Sequence, residues 1–560
     1  MKGQIYLNFP VTETNRQTRT KISLDGKVID QFTIKLATSE PDYWVYFDVT
    51  PYQGKTLTLE ISASNSFGIN NTTQTATVVK KEVMEDPIRG LTMVYADFKF
   101  PGQDSLYSEK LRPQVHFSSQ RGWINDPNGL IYYGGQYHMF FQHNPYGWAW
   151  GNMHWGHAVS SDLIHWTQMS EAIYPMGDRD AAFSGSAVVD VKNTSGFRKN
   201  GIDPLIAMYT STGRGECLKI SYDNGKTFID YQGNPILKHR GRDPRVFWYA
   251  PGNHWVMVVW DQERTKKMSN GMDAFINQNL IFTSPDLKTW AYQSGVSGFF
   301  ECPDLFELPV EGGGGQKKWV MYDASGRYII GDFDGKNFTI EQNLKKYDYG
   351  GGYFYAAQTF NNEPKNRRIQ VGWGRGIAAP GAPFNQVMLF PTELRLKKSF
   401  DGLRLCPTPI PEINELHDNG QTQVDKLIFP NQPLNFAVDS CALHVVAEIE
   451  KGDANQFGLN IQGYEIEYND LLGVFFANSG TTRTSYEYVK PGSEIFKIEA
   501  IVDKNILEVY INDGEIYYVA PFDRPKANSI QAYVRGRGGE RKALVKKMEV
   551  YRLKSIWAKE

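Results

Sequence analysis

The chain has 560 residues, with 60 Lys and Arg against 62 Asp and Glu. It is too long for one hydrophobic core, and its near-neutral balance argues against nucleic acid or an anionic membrane as the main partner. Aromatic residues at 14%, with 52 Gly and 28 Pro, predict many short strands joined by turns and speak against a helix-rich protein. Cys217, Cys302, Cys406 and Cys441 are too scattered for a disulfide framework or a zinc ribbon. No apolar run reaches the ~18 residues that a membrane helix needs.

Residues 1–100 read as a small accessory β-sandwich. The opening MKGQIYLNFP lacks the apolar core of a signal peptide. The favoured expectation is a secreted, periplasmic or cell-surface protein whose export signal has been removed; a cytoplasmic protein is the alternative. In KTLTLEISAS, Leu57, Leu59, Ile61 and Ala63 share one face, and Asp25-Gly26 is a two-residue hairpin signal. The sandwich would either extend a surface for a polymer or act as a brace.

Residues 108–410 repeat by position. Asp126 in WINDPNG is followed by Ser184 in FSGS, Asp243 in RDP, Glu301 in ECPD and Thr359 in YAAQTF, at intervals of 58, 59, 58 and 58 residues. Five such units predict a five-bladed β-propeller, whose innermost strands would turn these stations towards one channel. Asp126, Asp243 and Glu301 would then converge. The stretch Asp126–Gly129 has the composition of a type I turn, with proline in its second position.

Three converging acids suit a hard cation or the cleavage of a glycosidic bond. The acids are dispersed and interleaved with Arg242 and aromatic residues, so a metal site is not expected. His154 and His157 lie three apart in a strand-like run and would face opposite ways, and with His138 and His143 they read as structural. Glycoside hydrolysis needs one carboxyl to attack or activate water and another to protonate the leaving oxygen. Arg242 is expected to keep Asp243 ionised, whereas Glu301, between Phe300 and Cys302, has the apolar setting that raises a carboxyl's pKa.

Residues 420–560 read as a second β-sandwich, in which Ile506–Ala520 is a strand, a turn and a strand. Tyr517 and Tyr518 there would be exposed and available to sugar, although strands usually carry Tyr for packing. Gly312–Gly315 reads as a flexible hairpin and Arg535–Gly539 as a turn. The whole is therefore an all-β chain.

WINDPNG, FSGS, RDP and ECPD, in this order and spacing, resemble the signature set of glycoside hydrolase family 32, the β-fructofuranosidases that include invertases, inulinases and levanases. The resemblance runs from about Arg112 to the C-terminus. It implies that Asp126 is the nucleophile, Glu301 the general acid/base and Asp243 the transition-state stabiliser, in a retaining, cofactor-free reaction through a fructosyl–enzyme intermediate. It also implies that Asn125, Gln142, Trp150, Phe183, Ser184, Arg242 and Trp373 line the fructose pocket. Trp150 and Trp373 have a plainer alternative as packing residues. The expected substrate is a fructan, levan or inulin, or sucrose, cleaved from the chain end. Endo-cleavage, fructosyl transfer and non-catalytic sugar binding stand as alternatives. Intact Trp123 and Ser184 favour water over a sugar acceptor, and all three acids being present favours an enzyme over a lectin. Residues Gly147–Trp155 and Gly350–Gly352 would shape the rim. Oligomeric state is not legible.

Overall fold

The structure is a computed structural model. It describes residues 5–63, 74–78, 93–176, 180–267, 273–399, 401–478, 483–487, 494–522, 527–536 and 541–557. Among them the helical pieces are three short 3-10 turns, at Thr50–Tyr52, Gln103–Ser105 and Pro411–Leu416, and everything else regular is strand. No helix among the described residues is long and apolar enough to cross a membrane.

The N-terminal strands form two sheets. Tyr43–Asp48, Tyr6–Val11 and Tyr95–Asp97 make one; Lys27–Ile34, Thr18–Leu24, Leu57–Ala63 and Gln74–Val78 make the other. The alternation in the fifties does what its period requires: Leu57, Leu59 and Ile61 are 4%, 1% and 1% exposed and meet Phe9 and Phe47 in the core. Asp25 and Gly26 have φ of 51° and 77°, the paired left-handed geometry of a tight hairpin turn.

Five four-stranded antiparallel repeats follow. Their first strands are Gly122–Tyr133, Ala182–Val189, Arg242–Tyr249, Asp304–Pro309 and Phe354–Thr359, which open blades I to V. The ring closes because Phe384–Asn385 pairs in parallel with Gly122–Trp123 of blade I, while Asn361 beyond blade V bridges Ile131. The axis is held by polar cross-links between blades. Arg245, 1% exposed, donates to the Thr359 carbonyl at 3.0 Å and pairs with Asp304 at 2.8 Å. The Ser186 hydroxyl donates to the Pro244 carbonyl at 2.8 Å. Satisfying these groups inside the channel fixes each blade against the next.

WINDPNG is not a tight turn but part of a 12-residue strand. Register slips between Ile124 and Pro127, so Asn125-Asp126 forms a β-bulge; the same slip falls between Ala182 and Gly185, Arg242 and Arg245, and Tyr355 and Gln358. A bulge adds one unpaired residue and bends the strand, which re-aims the side chain there. It also accommodates Pro127 and Pro244, which have no N–H for a ladder. The neighbouring backbones touch: a Cβ on Gly185 would stand 1.9 Å from the Met208 carbonyl oxygen.

The last strands make two six-stranded sheets packed face to face. One runs His417–Ile428, Ala543–Leu553, Leu443–Glu450, Ile495–Val502, Ile506–Ile511, Ile516–Pro521. The other begins at Leu434–Ala437 and ends at Arg483–Glu487. The hairpin around Asn512–Gly514 forms as its composition predicts. Tyr517 and Tyr518 are not exposed, at 1% and 5%, because they fill space against the propeller and within the sandwich. This sandwich is tied to the propeller by His116, wholly buried, which meets Asp503 at 2.9 Å and Glu508 at 2.8 Å. Gly312–Gly315 joins two blade IV strands, and Arg535–Gly539 lies partly outside the described residues.

Candidate active site

The bulged starts of the inner strands meet at one end of the channel. Asp126, from blade I, accepts hydrogen bonds from the Ser184 hydroxyl of blade II at 2.6 Å and from the Asn125 amide at 3.1 Å. Asn125 is itself oriented by the Trp123 indole, which donates to its oxygen at 3.1 Å. Asp243, from blade III, is 6% exposed; its Oδ2 accepts from the Cys302 backbone N–H at 3.0 Å. The Cys302 thiol bridges two blades, 3.5 Å from Asp126 Oδ2 and 3.6 Å from Asp243 Oδ2. Glu301 sits beside it, just ahead of blade IV's first strand. The three acids are thus one cluster.

Backbone strain gathers here. Asp243, Glu301, Cys302 and Ala356 have φ of 70°, 59°, 42° and 51°, a region that side chains other than glycine's seldom occupy. Hydrogen bonds to the strained residues hold them there: Asp243 N–H donates to Thr210 Oγ1 at 3.0 Å, and Ala356 N–H to the Ala324 carbonyl at 2.7 Å.

The electrostatics differ from the expectation for Arg242 and Glu301. Arg242 is ion-paired directly with Glu301 Oε1, whereas its Nε lies 3.8 Å from Asp243. The Tyr355 hydroxyl donates to Glu301 Oε2 at 2.5 Å. Glu301 is therefore held by two polar partners, not enclosed by apolar ones, because the backbone turn at 301–302 swings it towards blades III and V. Asp243 is pushed up to about 7, by burial first; Arg242 opposes this and the charge of Asp126 adds to it. Burial also raises Asp126, against hydrogen bonds from Ser184 and Asn125 that favour its ionised form. Burial and the surrounding carboxylates push the Cys302 thiol well up, so it stays a proton donor.

Aromatic rings line the walls. Trp373, 8% exposed, meets Trp123 and Tyr355 edge to face at 6.0 and 6.1 Å. The Arg242 guanidinium lies 4.3 Å from the Trp260 ring. Trp150 is 58% exposed, which no packing role explains, and stands edge to face with Phe183 at 6.0 Å. Gln142 is 2% exposed and donates to the Ala182 carbonyl at 2.8 Å, spanning blades I and II. His154 pairs with Asp30 of the N-terminal sandwich at 3.0 Å, and His157 with His138 at 3.0 Å, on opposite faces of their strand.

Sequence reasoning missed Tyr355, Trp260 and the bridging role of Cys302. It put the fifth station at Thr359, which lies deeper, bonded to Asp304 at 2.8 Å and 2.9 Å; Tyr355 is the residue at the mouth. Cys302 is adjacent to Glu301 and was within reach of the motif. Trp260 had no local signal, since only its pairing with Arg242 across the ladder brings it in.

A propeller that gathers three carboxylates, an arginine and indole walls at one mouth has the make-up of a glycoside hydrolase. The sequence agrees: models of the glycosyl hydrolases family 32 N-terminal domain and C-terminal domain match residues 116–409 and 412–552, and the chain belongs to that family. Residues 2–86 match a domain of unknown function (DUF4980). A levanase of Bacillus subtilis is 34% identical over 534 residues, covering 86% of this chain and 76% of the relative. An extracellular exo-inulinase of Meyerozyma guilliermondii is 32% identical, covering 72% and 88%. The crystal structure of exo-inulinase from Aspergillus awamori superposes with a TM-score of 0.70 at 27% identity, over 80% of this chain and 100% of that one.

Proposed function

We propose that the protein hydrolyses β-fructofuranosidic bonds in fructans, levan or inulin, and in sucrose, releasing fructose from the chain end with retention of configuration. The observation that carries this reading is the Cys302 thiol lying against both Asp126 and Asp243 while Glu301 is held alongside by Arg242 and Tyr355. Three acids with distinct partners have distinct roles.

Asp126 attacks the anomeric carbon. Ser184 and Asn125 donate to its oxygens, which favours the ionised form against the push of burial and fixes the nucleophile in direction. Glu301 protonates the departing glycosidic oxygen, then takes the proton from the water that attacks the fructosyl–Asp126 ester and frees Asp126. Arg242 and Tyr355 keep its carboxyl in one place through both steps. Asp243 binds fructose hydroxyls and opposes the positive charge that develops on the ring. Asn125 and Arg242 offer hydrogen bonds, Trp373 and Phe183 offer faces for the sugar's C–H groups, and Trp150 stands at the rim. Gln142, whose amide is used between blades, positions Ser184's strand.

Exo action is favoured by the exo-inulinase names of relatives. The extracellular relatives support export of this protein as well. We divide the chain into residues 1–100, 108–410 and 420–560, a reading supported by the separate sheets of the N-terminal, propeller and C-terminal parts. The test is to incubate the purified protein with levan, inulin and sucrose and resolve the early products. Free fructose alone supports exo-hydrolysis and the better polymer names the linkage; a ladder of oligosaccharides replaces it with endo-cleavage. No release from any of them returns the propeller to a binding role.

A further inference from the structure

The N-terminal sandwich docks on blade I at the base of the loop that carries Trp150. Tyr146 stacks on Phe32 with ring centroids 3.5 Å apart and donates to Asp30 at 2.5 Å. Asn152 and Thr33 exchange two hydrogen bonds at 2.8 Å, the Thr33 N–H donating to Asn152 Oδ1 and the Asn152 amide to the Thr33 carbonyl. At this junction lies a cleft of about 210 Å³, lined by Arg19, Gln31 and Thr33 of the sandwich and by Asn152, Asp180 and Thr212 of blades I and II.

Its composition is specific. Arg19 and Asp180 offset each other in charge, and Arg19 and Gln31 supply donors beside the apolar surface of Phe32, Met153, Pro175 and Ala181, a mix that suits a neutral polyhydroxylated ligand better than an anion or a lipid. The volume is below the ~300 Å³ at which pockets for whole small-molecule ligands begin, a size for a single sugar unit. Arg19 is exposed at the edge, and the Gln31 amide nitrogen on the floor is enclosed without a hydrogen-bond partner. The walls are preset: Ala181 N–H donates to Thr212 Oγ1 at 2.8 Å, and the Ser211 hydroxyl to Asp180 at 2.5 Å.

The residues that line the cleft are close in the chain to those of the pocket rim. Asn152 lies two residues beyond Trp150, and Ala181 two residues before Phe183, and those two rings meet at 6.0 Å. A chain leaving the pocket past Trp150 and Phe183 runs onto the junction. We propose that this cleft is a distal subsite, which binds a fructosyl unit of a fructan several units away from the bond being cleaved. It rests on the fructan reading above and gives the N-terminal sandwich a part in choosing polymer over sucrose.

The experiment compares the full chain with its Arg19→Ala and Gln31→Ala variants on sucrose, a fructan trisaccharide and the polymer. For each variant the expected result is a polymer KM raised by about 5-fold, the loss of one net hydrogen bond, with sucrose turnover unchanged. Direct binding supplies a second reading. In an Asp126→Asn background, affinity for fructo-oligosaccharides should rise with chain length, and Arg19→Ala should remove that rise. Equal losses on sucrose and polymer would mean that the junction only braces the Trp150 loop, and unchanged polymer KM would mean that the cleft is inert; either overturns the proposal. If the unaltered protein cleaves none of these substrates, the fructan reading itself has failed, a different outcome.

Discussion

Arg242 and Glu301, 59 residues apart and on neighbouring blades, form a direct ion pair at the mouth of the channel. The Trp260 ring lies 4.3 Å from the guanidinium and backs it on one side, while the fork reaches Glu301 and lies near Asp243. Arg242→Ala is expected to lower kcat/KM on sucrose by ~10²–10³, and Arg242→Lys to restore part of it, because charge returns without the fork. Steady-state kinetics of both variants check this. Equal activity in the alanine variant would remove Arg242 from the machinery.

Tyr355 gives a narrower test. Its hydroxyl is pushed well above the usual phenol range, by burial first and then by Glu301, so it donates at any working pH. Tyr355→Phe should reduce kcat by ~10-fold with KM and the circular dichroism spectrum unchanged, since one hydrogen bond to a charged group is lost and the ring remains. A rise in KM alone would instead place Tyr355 in sugar binding.

Asp243 couples function to stability. Burial pushes its carboxyl up to about 7 in the folded chain, from an ordinary 3.8. Between those values the folded state holds a proton that the unfolded chain has released, so stability falls as pH rises through the window. Asp243→Asn should therefore be more stable than the parent at pH 8 by on the order of 2 kcal/mol, with the gain gone below the unfolded pKa, while activity is lost. Urea melts across that range measure it; a stability difference independent of pH would contradict it.

His116 obeys the same linkage, but its replacement destabilises. Burial alone would lower its pKa, but the hydrogen bonds it donates to Asp503 and Glu508, and their charges, raise it to about 9. Its contribution is complete below the unfolded value near 6.5 and is lost as pH rises through about 9. His116→Ala, which strands two buried carboxylates, should cost ~3–5 kcal/mol at neutral pH. Thermal melts should show the deficit shrinking above pH 9.

Much of the architecture was legible because it follows from periodicity. Alternation at Leu57–Ile61, the Asp25-Gly26 turn and the near-constant 58-residue spacing are local or repetitive patterns, and each has a direct geometric consequence. WINDPNG was misread as a turn for a physical reason: proline and glycine mark both turns and bulges, and only the partner strand decides between them. Thr359 was misplaced because a count of residues does not register where a bulge shifts the frame. Tyr517 and Tyr518 lie on strands whose outer cover, the propeller, is far away in sequence.

By itself the sequence determined the all-β class, the family and the residues that gather at one mouth, because these depend on motif and period. The tertiary structure alone decided which acid Arg242 grips, that Cys302 touches two carboxylates, and that Trp150 stands exposed beside a cleft shared with the N-terminal sandwich. Those relations are set by bulge geometry and by contacts between segments 59 to 176 residues apart. Pairwise distances of that kind arise only when the blades close into a ring and the flanking sandwich is packed against it.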